Sequence, residues 1–171
     1  RTPMMDAIAD RLRAEGRQPF VIPIGASTPL GALGYVHAIA ELGDQMKAPD
    51  VIVHSTSSGG TQAGIVAGCR LLGLKTRVIG ISADEAAAVL APQIDEIVGG
   101  VEDLLKVRLE ADPTYEIEID DRFVGEGYGV QTAASREATR TLSVAVMLAR
   151  FEVTGSATER GTDGIAAWCS T

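Results

Sequence analysis

Lysine is sparse: 171 residues contain only Lys47, Lys75 and Lys106, among fifteen basic residues in all. Against 23 carboxylates this leaves a net charge of −8, with the cations scattered along the chain. That balance excludes nucleic acid as a partner, because phosphate backbones are held by clustered Lys and Arg. Long apolar runs are missing too. None approaches the ~20 residues that cross a bilayer, and no segment has the layout of a signal peptide, so a cytoplasmic protein without membrane contact is expected. Cysteine occurs twice, at Cys69 and Cys169, too far apart for a metal site. Cys69 sits in an apolar helical segment and reads as a small core residue. The chain opens on Arg1-Thr2-Pro3 rather than Met, as a processed chain or part of a longer one does.

What is present is an alternation of short apolar runs with helix-length amphipathic segments. Residues 4–14 have helical spacing, with Met4, Ile8 and Leu12 on one face, and Gly16 ends them. Phe20 to Ile24 reads as a short buried strand, and Leu30 to Met46 as a helix that stops before Pro49-Asp50. Strand 51–54, loop 55–60, helix 61–73 and strand 76–81 follow. The segment from Asp84 to Leu109 reads as a helix in two parts, broken by Pro92 and by Gly99-Gly100. Tyr115 to Ile119 alternates as a half-exposed strand does, and a helix begins near Ala133 after a glycine-rich loop. Residues 151–171 have no sustained period and read as an irregular tail that holds the one Trp. Strands alternating with helices of this length predict an α/β protein with a parallel sheet and helices on both faces.

The stretch VIVHSTSSGGTQAG, residues 51–64, carries the chemistry. An apolar strand empties into Ser55, Thr56, Ser57, Ser58, Gly59, Gly60 and Thr61, and a helix starts at once. At the carboxyl end of a parallel strand, a helix N-terminus offers free N–H groups and partial positive charge, and so favours anions. Hydroxyls add donors, and glycines let the backbone close in. The loop is suited to surround a phosphate; an ordinary tight turn with a Ser or Thr cap is the plainer alternative. A nucleotide loop of the form GxxxxGK[ST] is excluded, since no lysine is near. A dinucleotide site would place an acid near Asp84, but the GxGxxG fingerprint is missing.

Three segments together resemble one family: FVIPIGASTPLGALGYVHA (20–38), VIVHSTSSGGTQAG (51–64) and DDRFVGEGYGVQTAASREA (120–138). Their order and spacing resemble the D-cysteine desulfhydrases and aminocyclopropane-carboxylate deaminases, which are pyridoxal-phosphate enzymes of the tryptophan-synthase-β-like fold, and the PxGxSxPLGxLGYV pattern at 23–36 is the most specific part. The resemblance implies that residues 1–150 are an incomplete large cofactor domain, a three-layer α/β sheet domain. It implies pyridoxal 5'-phosphate as cofactor, held by Ser57, Ser58, Gly59, Gly60 and Thr61, with Tyr128 as an active-site tyrosine beside cofactor and substrate. Gly25 to Leu33 would lie close to the site. The implied reaction acts on a small amino acid: D-cysteine going to pyruvate, ammonia and sulfide, or the deaminase reaction within the same family. Complete family members would be homodimers.

Two departures limit that expectation. The chemistry needs a lysine that holds the cofactor and moves the substrate α-proton, and in the family it lies before the first matched segment. Lys47, Lys75 and Lys106 stand in no matching position and read as solvated surface. After residue 149 the family has a DPVYxGK-type segment, where this chain reads FEVTGSATERGTDG. Codons such as ACT-GGA-TCC for Thr154-Gly155-Ser156 would read Leu-Asp-Pro one base along, so a shifted frame would account for the change; the coding DNA tests this. As it stands the chain is expected not to complete the reaction. The alternative from another class is a non-enzymatic α/β module that binds a phosphorylated ligand, or a nucleotide through Asp84.

Overall fold

The computed structural model describes residues 2–109 and 116–142. The expected irregular tail at 151–171, its boundary at 150 and the frame question all lie outside the described residues. Arg1–Val130 form one compact unit and Gln131–Thr171 a second, of which residues 133–142 are helical, as expected.

In the first unit the order is α1 (Thr2–Ala14), a 3-10 turn (Ile24–Ala26), α2 (Pro29–Gln45), β1 (Val51–Thr56), α3 (Gly60–Leu71), β2 (Arg77–Ser82), α4 (Ala87–Leu105) and β3 (Glu118–Asp120). The three strands form one parallel sheet in the order β1-β2-β3. Val51 pairs with Arg77 and Thr56 with Ser82; Ile79 pairs with Glu118 and Ile81 with Asp120. The expected α/β class with a parallel sheet is what the chain has. Both crossovers step in the same direction, so right-handed connections put α3 and α4 on the same face. On the other face Val51 and Val53 are exposed, Val53 at 62%. The described helices α3 and α4 therefore cover one side of the sheet.

α3 is the centre of this unit. Nine of its twelve residues are buried, which requires neighbours on nearly every side. Gly64 and Gly68 make that possible against α2: a Cβ on Gly64 would overlap the Ala32 carbonyl, and one on Gly68 would come 2.9 Å from Ile39 Cβ. The core is completed by Leu90, Ile94, Ile97, Val98 and Val101 from α4. Cys69 lies within it, fully buried, and burial pushes its thiol up to about 11.

Two sequence expectations fail. Phe20 to Ile24 is not a strand: residues 19–22 run as irregular chain beside Met5, Ile8, Ala9 and Leu12 of α1, and Phe20 is 83% exposed. Pro19 precedes the run and Pro23 lies within it, and neither has an N–H to donate to a ladder. The second concerns α4, which is one helix rather than two, with Pro92 inside it. Proline costs about 3 kcal/mol and each glycine about 1 in a helix interior. Five buried side chains, at about 1.5–3 kcal/mol apiece, outweigh that. Gly100 is a packing position, since a Cβ there would overlap the Pro29 ring at the start of α2.

Candidate functional site

The carboxyl ends of β1 and β2 lie side by side, joined past their last ladder pair by the Ala83 N–H donating to the Thr56 carbonyl at 2.9 Å. Above them opens a cavity of about 240 Å³ lined by Ser55, Thr56, Ser57, Ser58, Gly59, Thr61, Ala83 and Tyr128. Of the six residues expected at the site, five line this cavity: Ser57, Ser58, Gly59, Thr61 and Tyr128. Gly60 does not; it is buried beneath, as the first residue of α3.

The turn into α3 depends on Gly59, which caps the helix at φ 81°, a left-handed conformation natural to glycine. A Cβ at Gly59 would come 2.8 Å from Ile94 Cγ1, so the loop is also pressed against α4. Tyr128 arrives from a different loop. The Val130 N–H donates to the Gly127 carbonyl at 3.1 Å, and Gly129 at φ 80° takes the third place of that turn, which presents Tyr128 outward, 72% exposed.

Two residues that sequence reading did not assign individually control the cradle. Ser27, in the turn before α2, donates its hydroxyl proton to Ser58 Oγ at 2.7 Å and accepts the Gly60 N–H at 3.2 Å. Asp84, weighed above only as a nucleotide ligand, accepts the Ser57 hydroxyl at 2.9 Å. The sequence signal for Ser27 was its place in GAST, a loop rich in small residues ahead of a helix. No local signal pairs Asp84 with Ser57, which lie 27 residues apart. Lys47, Lys75 and Lys106 are exposed and none lines the cavity.

The electrostatics distinguish two helix ends at this edge of the sheet. The first N–H of α4, at Ala87, donates to the Asp121 carboxylate at 2.8 Å. A carboxylate there satisfies the donor and neutralises the helix end. The first N–H of α3 meets only the neutral Ser27 hydroxyl, so the positive end of α3 stays available to an anion. The cavity lining carries no charged side chain. An anion would be held there by backbone dipoles and hydroxyls.

A parallel α/β fold with a helix N-terminus over a hydroxyl-lined cavity is an arrangement suited to an anionic group. The family of pyridoxal-phosphate dependent enzymes matches residues 2–149, and the chain belongs to it. A protein of Pyrococcus horikoshii whose name assigns it, provisionally, to the 1-aminocyclopropane-1-carboxylate deaminases is 38% identical over 125 residues, which cover 72% of this chain and 37% of that protein. A D-cysteine desulfhydrase of Klebsiella pneumoniae is 30% identical over 142 residues, 81% of this chain and 42% of that protein. A crystal structure described as an ACC deaminase homologue superposes with a TM-score of 0.62 at 36% identity, over 68% of this chain and 35% of that one. The chain thus spans about two fifths of the length of the curated relatives it matches. The cofactor of this family is pyridoxal phosphate.

The residues present fit one end of that cofactor. The positive end of α3, met only by a neutral hydroxyl, the missing Cβ at Gly59 and the Ser58 hydroxyl suit its phosphate. The lysine that would hold the other end is not supplied by this cavity lining.

Proposed function

We propose that this chain supplies the phosphate-holding part of a pyridoxal-phosphate active site for a small amino acid. D-cysteine, giving pyruvate, ammonia and sulfide, is the favoured substrate; the aminocyclopropane-carboxylate deaminase reaction is the alternative within the family. The observation that carries this is the contrast between two helix ends. Asp121 closes α4 with a carboxylate, whereas α3 opens into the hydroxyl-lined cavity with only a neutral cap.

Pyridoxal phosphate, when bound, supplies an electron sink that stabilises negative charge at the substrate α-carbon. The α3 amides, the Ser58 hydroxyl and Thr61 bind and orient its phosphate. Gly59 keeps the backbone close by having no side chain in the way. Tyr128, on the exposed turn at the rim, can donate or accept one proton at its phenolic oxygen and orient a small substrate. None of the lysines reaches the cavity, so the chain by itself binds without turning over.

That last point supports a second reading, a binding module without catalysis. The deciding experiment incubates the purified chain with pyridoxal phosphate and D-cysteine and measures pyruvate and sulfide, alongside binding competition. Mutual exclusion of pyridoxal phosphate and inorganic phosphate without turnover is the expected result. Clear turnover would sink the inactivity claim, and preferential binding of an adenine nucleotide would sink the cofactor assignment.

A further inference from the structure

Which hydroxyl of the cradle can give a proton to a bound phosphate follows from where the others are already committed. A backbone N–H only donates, so the Gly60 N–H at 3.2 Å makes Ser27 Oγ an acceptor. The Ser27 proton then goes to its other neighbour, Ser58 Oγ, at 2.7 Å. Ser58 is left with its own proton, and Ser58 lines the cavity. Ser57 is in the opposite position. An ionised carboxylate only accepts, so the Ser57 hydroxyl at 2.9 Å spends its proton on Asp84.

We infer that Ser27, which does not line the cavity, is a positioning residue of the phosphate site: it links the first N–H of α3 to Ser58 and turns the Ser58 proton outward. The inference rests on the reading of the cavity as a phosphate cradle. The chain Gly60 N–H, Ser27 O–H, Ser58 O–H runs in one direction, and each member polarises the next, which strengthens the final donor. Its geometry is enforced from both sides. A Cβ on Gly60 would come 2.8 Å from Ser27 Oγ, and a Cβ on Gly25 would overlap Ser58 Oγ. The turn at 24–28 and the loop at 57–60 are therefore pressed together at these two hydroxyls.

The test is a titration of the 171-residue chain with inorganic phosphate, comparing wild type with Ser27→Ala, Ser58→Ala and the double variant. Thr28→Ala is the control. Thr28 caps α2 by accepting the Gly31 N–H at 3.1 Å, so this change weakens the same turn without entering the chain of hydroxyls. Thermal unfolding is recorded for every variant. Ser58→Ala is expected to weaken phosphate binding roughly tenfold, the scale of a hydrogen bond to a charged group. Ser27→Ala should weaken it about as much, the double variant no more than Ser58→Ala alone, and Thr28→Ala should leave it unchanged. Full affinity in Ser27→Ala, multiplicative losses in the double variant, or an equal loss in Thr28→Ala each overturn the positioning role while leaving the cradle standing. An absence of saturable phosphate binding in wild type overturns the cradle itself, and the inference with it.

Discussion

Gln62 lies across Gly80. From the first turn of α3 its side chain passes over the middle of β2 and donates an Nε2 hydrogen to the Glu118 carbonyl of β3 at 2.8 Å. It is fully buried, and a Cβ on Gly80 would overlap its Oε1. The helix that opens the cradle is thereby fastened to β3 by one polar strut that packs over β2.

Gly80→Ala should therefore cost about 1–3 kcal/mol, the range for overpacking an interior. Gln62 has no route to solvent that would relieve the contact. At about 2–4 °C per kcal/mol for a chain of this size, calorimetry should show a fall in Tm of several degrees. An unchanged Tm would mean that Gln62 moves aside freely and is no strut.

Two glycines with nearly the same φ offer a matched pair. Gly59 at φ 81° and Gly129 at φ 80° both occupy the left-handed region, but a Cβ at Gly59 meets Ile94 whereas one at Gly129 meets nothing within 4 Å. Alanine at Gly129 should cost about 1 kcal/mol of backbone strain, and alanine at Gly59 at least about 2. Chemical denaturation of the two variants measures the difference. Equal losses would show that Ile94 yields and that strain alone matters.

Asp84 puts a carboxylate one hydrogen bond away from a loop read as an anion site. Asp84→Asn keeps an acceptor for Ser57 and removes the charge. Phosphate affinity should rise severalfold at low salt, and the gain should shrink as added salt screens the interaction. A drop in affinity would show that the ionised carboxylate is needed to hold Ser57 in place.

His54, in β1, has Nδ1 at 2.8 Å from the Ser55 carbonyl and a buried Nε2 without a partner among the described residues. Burial lowers its pKa below the usual 6.5, with the Ser55 carbonyl acting weakly the other way. A folded-state value below the unfolded one means that the unfolded chain takes up the proton more readily. The stability tied to His54 is complete above about pH 6.5 and is lost as pH falls through the lowered folded value. Wild type should lose more stability than His54→Gln between about pH 7 and about pH 5. Parallel losses in the two proteins would rule His54 out as the source.

Much of this protein is legible in its sequence because the relevant interactions are local. Val51-Ile52-Val53 and Arg77 to Ile81 read as strands, and they are strands. Leu30 to Met46 reads as a helix, and α2 begins one residue earlier, with Pro29 at its first position and the Thr28 hydroxyl accepting the Gly31 N–H. The small hydroxyl residues between β1 and α3 mark in the sequence the stretch that lines the cavity, although the same residues also suit an ordinary capped turn. Tyr128 was legible only by resemblance; its loop has no periodicity to read.

What tertiary structure decided is every commitment made across the chain. Pro92 and Gly100 look like helix breakers until the buried face of α4 and the Pro29 ring are present to outweigh them. Phe20 to Ile24 looks like a strand until the fold sets residues 19–22 beside α1 and outside the three-stranded sheet. Ser57 and Ser58 are equivalent in the sequence, adjacent and identical in type. They become different because Asp84 stands against one and Ser27 against the other. Periodicity records which way a side chain points along its own element. A proton, in contrast, goes to whichever acceptor the fold brings within about 3 Å.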